Sequence, residues 1–420
     1  MSCIACFIDN NNQKKLKKNC FGLDRFELKL KKYKESFLEN IKKLKSISEC
    51  DCEFRNNNSE YVQWTDSFLE ETLNNISVIE DTFDDIISIY ISYISENTKI
   101  ATDKIWSFLQ QNDLLNETES GFTYSTIYFR ARIYDKTFNK SDINNFLHIP
   151  FNKRGLVGNQ RFSVSGQPML YLGKSIYGIK KELSTPINNL AISAFIPYYK
   201  DFYSKKYFTI KNTLFDTIAK TLPEIAKDHE IDYDDSFLTP NRNSIKKDIK
   251  KSIFSQILTF PVEKKSSFIS EYVLPQMTTT ALLENNFNGI VFPSTKDFSE
   301  LKNYNIRSDH ESNFAIFVNY SESNQYDDEL LKNLLHFTLN GKEEFNHSVY
   351  EILNKFELVF ELNRKSNYHN FIAPLISLRL QVEYLEKSKI DGIEYYETSY
   401  GKIELEFYSK VADFYLSIIK

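Results

Sequence analysis

The sequence predicts an α/β or α+β domain over residues 121–335, between a helical N-terminal region (1–118) and a mostly helical C-terminal extension (336–420). Three observations predict it. Up to about residue 115, apolar side chains recur at helical spacing with charged residues between them. From Ser125 the pattern changes to short runs rich in β-branched and aromatic residues, separated by helical stretches. Beyond Glu343 the helical period returns.

In chain order, Phe21 to Ile47 reads as one amphipathic helix with lysines between its apolar positions. A polar break, SECDCEFRNNNSE, follows. Ser67 with Glu70 fits a capping box and is expected to open the next helix, and TDKIWSFLQQND reads as a short closing one. STIYFRARIY and PMLYLG read as strands, SIYGIKKELS as a short helix carrying Glu182, and NLAISAFIPYY as a third strand. Thr213 to Leu258 is helical in pattern. SSFISEYVLPQMTTTALLENN is helical with an expected break near Pro275. NNFNGIVFPST feeds a buried strand ending at Ser294, and SNFAIFVNY is another strand. The tail is helical from Glu343 to Lys387, with Pro374 as a kink or boundary, and ends in a strand-like piece and a closing helix.

Composition bounds the function. The chain of 420 residues carries 52 Lys and Arg against 57 Asp and Glu, a net charge of −5. An overall electrostatic grip on nucleic acid is therefore not favoured, although local basic patches are compatible with it. No run approaches the roughly 18 apolar residues of a membrane span, and the N-terminus lacks the pattern of a signal peptide, so no membrane partner is expected and a cytoplasmic location is the default. Homo-oligomerisation is left open.

All five cysteines fall early, at Cys3, Cys6, Cys20, Cys50 and Cys52. Crowding and an odd count favour metal binding or free thiols over a disulfide framework. Cys3, Cys6, Cys50 and Cys52 offer a tetrahedral thiolate set for a structural zinc. The second pair is C-x-C, where C-x-x-C is usual, and small apolar residues without a metal are the alternative.

The stretch from Ser125 to Glu182 holds two arginines in apolar and aromatic surroundings, Arg130 in YFRAR and Arg161 in QRFS. Arginine is rarely buried without a partner, so these suggest an anionic ligand. Taken singly, each has a plainer reading: Arg130 as an exposed or salt-bridged strand residue, Glu182 as a helix-surface acid, Tyr171 as a core aromatic and Ser294 as a strand-ending turn residue. His148 is either a substrate contact or a hydrogen-bonded structural histidine. There is no phosphate loop, no dinucleotide-binding glycine pattern, no nucleophile elbow and no H-E-x-x-H.

YFRAR, HIPF-x-x-R, QRFS-x-x-G-x-P-x-LYLG and Glu182, followed far downstream by EYVLPQ, GIVFPST and SNFAIFV, together resemble the RES domain, across about 190 residues from Tyr128 to Val318. The resemblance implies an ADP-ribosyltransferase-like fold and an enzyme that consumes NAD at the nicotinamide–ribose bond, by phosphorolysis or hydrolysis. Many such proteins are toxins of toxin–antitoxin pairs, which implies a toxin or defence effector with an antitoxin or immunity protein as partner. By matched position, Arg130 and Arg161 would hold NAD phosphates or an attacking inorganic phosphate, and Tyr171 would border the nicotinamide. Glu182 would be the catalytic acid, with Ser294 completing the site. Transfer of ADP-ribose to a protein, or a non-catalytic nucleotide-binding regulatory module, are the alternatives. The chemistry suits the residues: a carboxylate can stabilise a developing oxocarbenium ion, and planar guanidinium groups suit a pyrophosphate.

Overall fold

A computed structural model describes residues 2–52, 54–55, 59–115, 127–134, 138–197, 205–210, 242–263, 266–301, 310–339, 347–365 and 372–419. Two compact units emerge, and neither is one continuous segment. The first comprises Met1–Glu117, Asn159–Val164 and Phe208–Asn286; the second comprises Thr118–Gly158, Ser165–Tyr207 and Phe287–Lys420.

The first unit is built of helices α1 (Ile4–Ile8), α2 (Asn10–Lys18), α3 (Phe26–Ile41), α4 (Ser59–Asn74), α5 (Ile76–Ser95), α6 (Thr98–Gln111), α8 (Arg242–Leu258) and α9 (Val273–Glu284). Its centre is aromatic. Tyr33 meets Phe83 and Phe260 edge-on at 5.5 and 5.9 Å, and Phe37 meets Phe7 and Phe83 at 4.7 and 5.4 Å. A buried cation cluster closes it elsewhere: Lys29 Nζ lies 2.9 Å from Glu271 and 3.2 Å from Glu263.

Several helix boundaries differ from expectation, and the helix read over Phe21 to Ile47 is the shorter α3. The helix expected to open at Ser67 begins at Ser59, so Ser67 lies inside α4, and the long run divides at Asn75 into α4 and α5. Pro275 does not break its helix. It occupies the first turn of α9, where a backbone N–H would have no intrahelical partner to lose. Pro374 likewise falls in the first turn of its helix. Of the helical segment read over 213–258, residues 213–241 lie outside the described residues, and α8 is its described part.

The second unit holds a mixed seven-stranded sheet. Its strands are β1 (Tyr128–Ile133), β2 (Met169–Gly173), β3 (Leu190–Pro197), β4 (Tyr207–Thr209), β5 (Gly289–Pro293), β6 (Ser312–Phe317) and β7 (Leu334–Thr338), in the order β4-β5-β6-β2-β1-β3-β7. The chain leaves this unit within β4. Two strands, β4 and β7, were not read from sequence, and β7 crosses from residue 335 to 336, where the extension was expected to begin.

The sheet is strongly joined within two halves and weakly between them. β1 pairs with β3 over six positions and β2 with β6 over five, but β1 meets β2 only at Phe129 and Gly173. One face carries α7 (Ile176–Leu183), α11 (Val349–Lys365), α12 (Ile372–Lys387) and α13 (Ser399–Ile419), packed on Phe129, Ala131, Ile192 and Ala194. The other face buries Tyr128, Leu170, Leu172, Phe314 and Ile316 with Phe146 and with Leu330 of α10 (Asp328–Asn333). A small hairpin, β8 (Lys389–Ile390) and β9 (Ile393–Glu394), precedes α13. Among the described residues no helix is long and apolar enough to cross a membrane.

Two glycines allow α7 to seat closely. A Cβ on Gly173 would lie 2.7 Å from Ile179 Cγ1, and one on Gly178 would press into the His310 backbone carbonyl, which cannot swing aside. Gly178→Ala therefore runs against helix propensity: it should destabilise the fold by about 1–3 kcal/mol, through overpacking. A denaturant melt checks this, and a neutral or stabilising result would contradict the close seating.

Candidate functional site

α7 is short, so its placement depends on its ends. Ser175 caps it, its Oγ accepting the Gly178 N–H at 2.9 Å, and Ser184 ends it in a left-handed conformation. Glu182 sits in the last turn, half-buried. Its Oε1 accepts a short hydrogen bond from Ser294 Oγ and a second, at 3.0 Å, from Asn313 Nδ2. Glu182 and Ser294, 112 residues apart in sequence, thus meet directly.

Each donor is fixed by the sheet. Ser294 directly follows β5, is buried, and its N–H donates to Glu311 O at 2.7 Å while its Oγ accepts from Lys296 N at 3.0 Å. Asn313 stands opposite Gly173 on one side and Phe292 on the other. By the two-residue period of a strand, Tyr171, Gly173, Asn313 and Ala315 share the face that carries α7. Neighbouring Lys181 and Tyr177 both bind Glu300, and Lys181 also binds the Asp297 carbonyl. The carboxylate of Glu182 is therefore aimed from two strands and steadied from a third segment.

Arg130 stands on the opposite face, because its neighbour Phe129 faces α7. Its Nη1 donates to the Tyr171 carbonyl at 2.9 Å, reaching over the place where β1 and β2 cease to pair. It is 8% exposed, its Nε has no partner, and no carboxylate pairs with it among the described residues. Burial, with Arg132 nearby, pulls its pKa well down. Arg132 is satisfied by the carbonyls of Asn145 at 3.3 Å and Leu147 at 3.0 Å. Arg130 is thus a buried cation with unspent hydrogen-bonding capacity.

Arg161 belongs to the first unit. It lies at the tip of a tight turn closed by a bridge between Gln160 and Ser163, which Gln276 Nε2 braces by donating to Gln160 O at 2.8 Å. Its Nη1 donates to Leu258 O at 3.0 Å, and its guanidinium lies 5.0 Å from the Tyr272 ring centroid. Lys17 Nζ donates to Gln256 O at 3.0 Å, so two cations complement the carbonyl end of α8.

His148 is structural: Nδ1 faces Ile149 O at 2.8 Å, so it carries the proton, and Nε2 accepts from Asp327 N at 3.0 Å. Burial lowers its pKa. Sequence reading missed Asn313. The polar residue inside the apolar run SNFAIFV was its only signal.

In the first unit, Cys3, Cys6, Cys50 and Cys52 converge. Their four Sγ atoms all lie within 4.8 Å of one another, and the Cys3–Cys52 and Cys6–Cys50 pairs are each 3.7 Å apart. Four thiolates at a Zn–S distance of about 2.3 Å define a tetrahedron with edges of about 3.8 Å. The donor set and its spacing therefore fit a tetrahedral metal ion. Cys3 is the N-cap of α1, and the Cys6 N–H donates to its Sγ at 3.5 Å. Hydrogen bonding with Cys52 raises the Cys3 thiol above its ordinary range, and hydrogen bonding with Cys3 and Cys6 lowers that of Cys52. Cys20, also buried, stands outside the set.

The comparisons with known proteins cover little of this architecture. A 70-residue segment is 41% identical to a Bacillus subtilis (strain 168) protein described as "Putative toxin YopC". That match takes in 16% of this chain and 15% of the relative, so the likeness is toxin-like and local. No protein-family model matches the chain, and no solved structure matches it significantly.

Ser294→Ala should leave Glu182 Oε1 with Asn313 alone and Lys296 N–H without its acceptor. The expected loss is about 1–3 kcal/mol, the usual effect of unpairing buried hydrogen-bonding groups. Equilibrium unfolding measures it, and a change within error of zero would mean that the contact is not formed in solution.

Proposed function

We propose that this protein is an NAD-consuming enzyme that cleaves the nicotinamide–ribose bond, by phosphorolysis or hydrolysis, and acts as a toxin or defence effector. One observation carries the reading: a half-buried carboxylate, Glu182, oriented by two strand-borne donors, Ser294 and Asn313, on the face shared by Tyr171. The sequence resemblance to the RES domain and the toxin-like segment support it. An ADP-ribosyltransferase-like architecture is part of the proposal, supported by a sheet that parts between β1 and β2 beside Arg130.

In this reading nicotinamide departs with the electron pair of the N-glycosidic bond and so becomes neutral. Positive charge develops on the ribose, and the Glu182 carboxylate stabilises it. Phosphate or water then forms the new bond at the anomeric carbon, water losing its proton as it does so. Tyr171 offers a flat ring to the nicotinamide. Arg130, whose guanidinium reaches the Tyr171 carbonyl where β1 and β2 cease to pair, offers planar donors to the pyrophosphate or the attacking phosphate. An antitoxin or immunity protein would restrain the activity in the cell.

We further propose that Cys3, Cys6, Cys50 and Cys52 hold one zinc ion. Such an ion would supply structural cross-linking with no open position for chemistry, joining the segment before α2 to the segment before α4.

Incubation of the purified protein with NAD, with and without inorganic phosphate, should release nicotinamide. Glu182→Gln should lower the rate by about 100-fold or more, by analogy with the loss of an electrostatic stabiliser. Intact NAD in both conditions overturns the reading. Nicotinamide release only with an added protein acceptor would favour ADP-ribosyl transfer, and NAD binding without turnover a regulatory module. For the metal, the purified chain should contain about one zinc, and Cys6→Ser should lower both zinc content and thermal stability. Zinc well below one per chain, with no other bound metal, removes that proposal.

A further inference from the structure

The last turn of α7 carries Glu182, but its first turn is completed by a residue from far down the chain. Glu404 of α13 is 1% exposed. Its Oε1 accepts the Ile176 N–H at 2.6 Å and the Tyr395 hydroxyl at 2.6 Å. Ile176 is the first residue of α7, so its N–H has no partner within the helix. Ser175 serves Gly178 N–H, and Glu404 serves the donor that the local sequence leaves over. A carboxyl group there also meets the positive end of the helix.

The junction is built to be rigid. Tyr395 is fully buried, and the N–H and Oγ1 of Thr398 both donate to its carbonyl, at 3.0 and 2.6 Å. Gly401 brings α13 so close to that carbonyl that a side chain would not fit. His310 lays its ring 4.7 Å from that of Tyr395, and a Cβ on Gly178 would strike the His310 carbonyl. One compact knot thus joins α13, Tyr395, His310 and the first turn of α7. Burial raises the Glu404 pKa to about 8. An acid kept in so unfavourable a setting does something that an apolar side chain would not.

We propose that Glu404 is a positioning residue for Glu182: by closing the first turn of α7 it sets how the helix lies on β2 and β6, and so where the Glu182 carboxylate meets Ser294 and Asn313. The inference deepens the NAD-cleaving reading and rests on it. It makes the C-terminal helix a working part of the candidate site. Among the described residues, Tyr395 is the titratable group bonded to Glu404, and Tyr408, Tyr177 of α7 and His310 lie around Tyr395.

Two variants separate positioning from mere stability. Glu404→Gln keeps an acceptor and cannot ionise, whereas Glu404→Leu fills the space without one. Glu404→Leu should lower kcat for nicotinamide release at least about tenfold with KM within about twofold, the signature of a misplaced reacting group. Glu404→Gln should keep kcat within about threefold at neutral pH, and the wild type should show an inflection near pH 8 that Glu404→Gln lacks. Wild-type kcat in Glu404→Leu, or a wild-type pH profile in Glu404→Gln, overturns the proposal. If Glu404→Leu does not fold, the Glu404→Gln profile decides alone. If the wild type releases no nicotinamide, the NAD reading has failed on its own. Positioning is then read from hydrogen-exchange protection across 176–183, taken relative to the intrinsic pH dependence of amide exchange, which should change between about pH 7 and about pH 9 in the wild type and not in Glu404→Gln. Equal behaviour of the two proteins overturns it.

Discussion

A single carboxylate oxygen, Glu182 Oε1, takes hydrogen bonds from the end of β5 and from the middle of the sheet at β6. Everything around it serves to place a helix of eight residues. So short a helix has little stability of its own and takes its direction from what it packs against. Gly173 and Gly178 let it come down close, Ile179 packs over Gly173, and Glu300 ties Lys181 and Tyr177 on its flank. Charge, close packing and capping thus converge on one acid.

The two halves of the sheet explain how a buried arginine can remain under-satisfied. Where β1 and β2 cease to pair, Arg130 finds a main-chain carbonyl and no acid. Arg132, two residues on and on the same face, donates to two carbonyls, its Nε among the donors, whereas Arg130 Nε has no partner. The contrast between neighbours of one type marks Arg130 as the one whose chemistry the fold leaves incomplete. A buried cation in that condition is costly unless a ligand anion completes it.

In the first unit the same economy of polar groups appears in another form. α2 is almost wholly polar in sequence, NNNQKKLKK, yet much of it is buried. Its Lys17 finds the carbonyl end of α8, where unpaired oxygens and the helix dipole favour a cation. The cysteine cluster ties residues 3 and 6 to residues 50 and 52, immediately before α2 and before α4. Thiols at a tetrahedral spacing, contributed by two chain segments, could hold a metal ion.

Much of this was legible in the sequence. Periodicity identified β1, β2, α7, β3, β5 and β6, because each is a strong local pattern bounded by turn residues. The four-cysteine set was legible from clustering alone, and Glu182 and Ser294 from a resemblance carried by several motifs in order. β4 and β7 were not, since three or five residues at a sheet margin carry too little periodicity to stand out. Nor were Asn313 and Glu404, since an amide in an apolar strand and an acid in a long helix look ordinary until their partners are known. The sequence by itself determined the strongly periodic elements, because those depend on neighbours within a few residues. Only the tertiary structure decided the strand order, the face on which each arginine lies, and the capping of α7 from 228 residues away. Those features depend on loop closure and on which polar groups have no local partner, which no short window of sequence records.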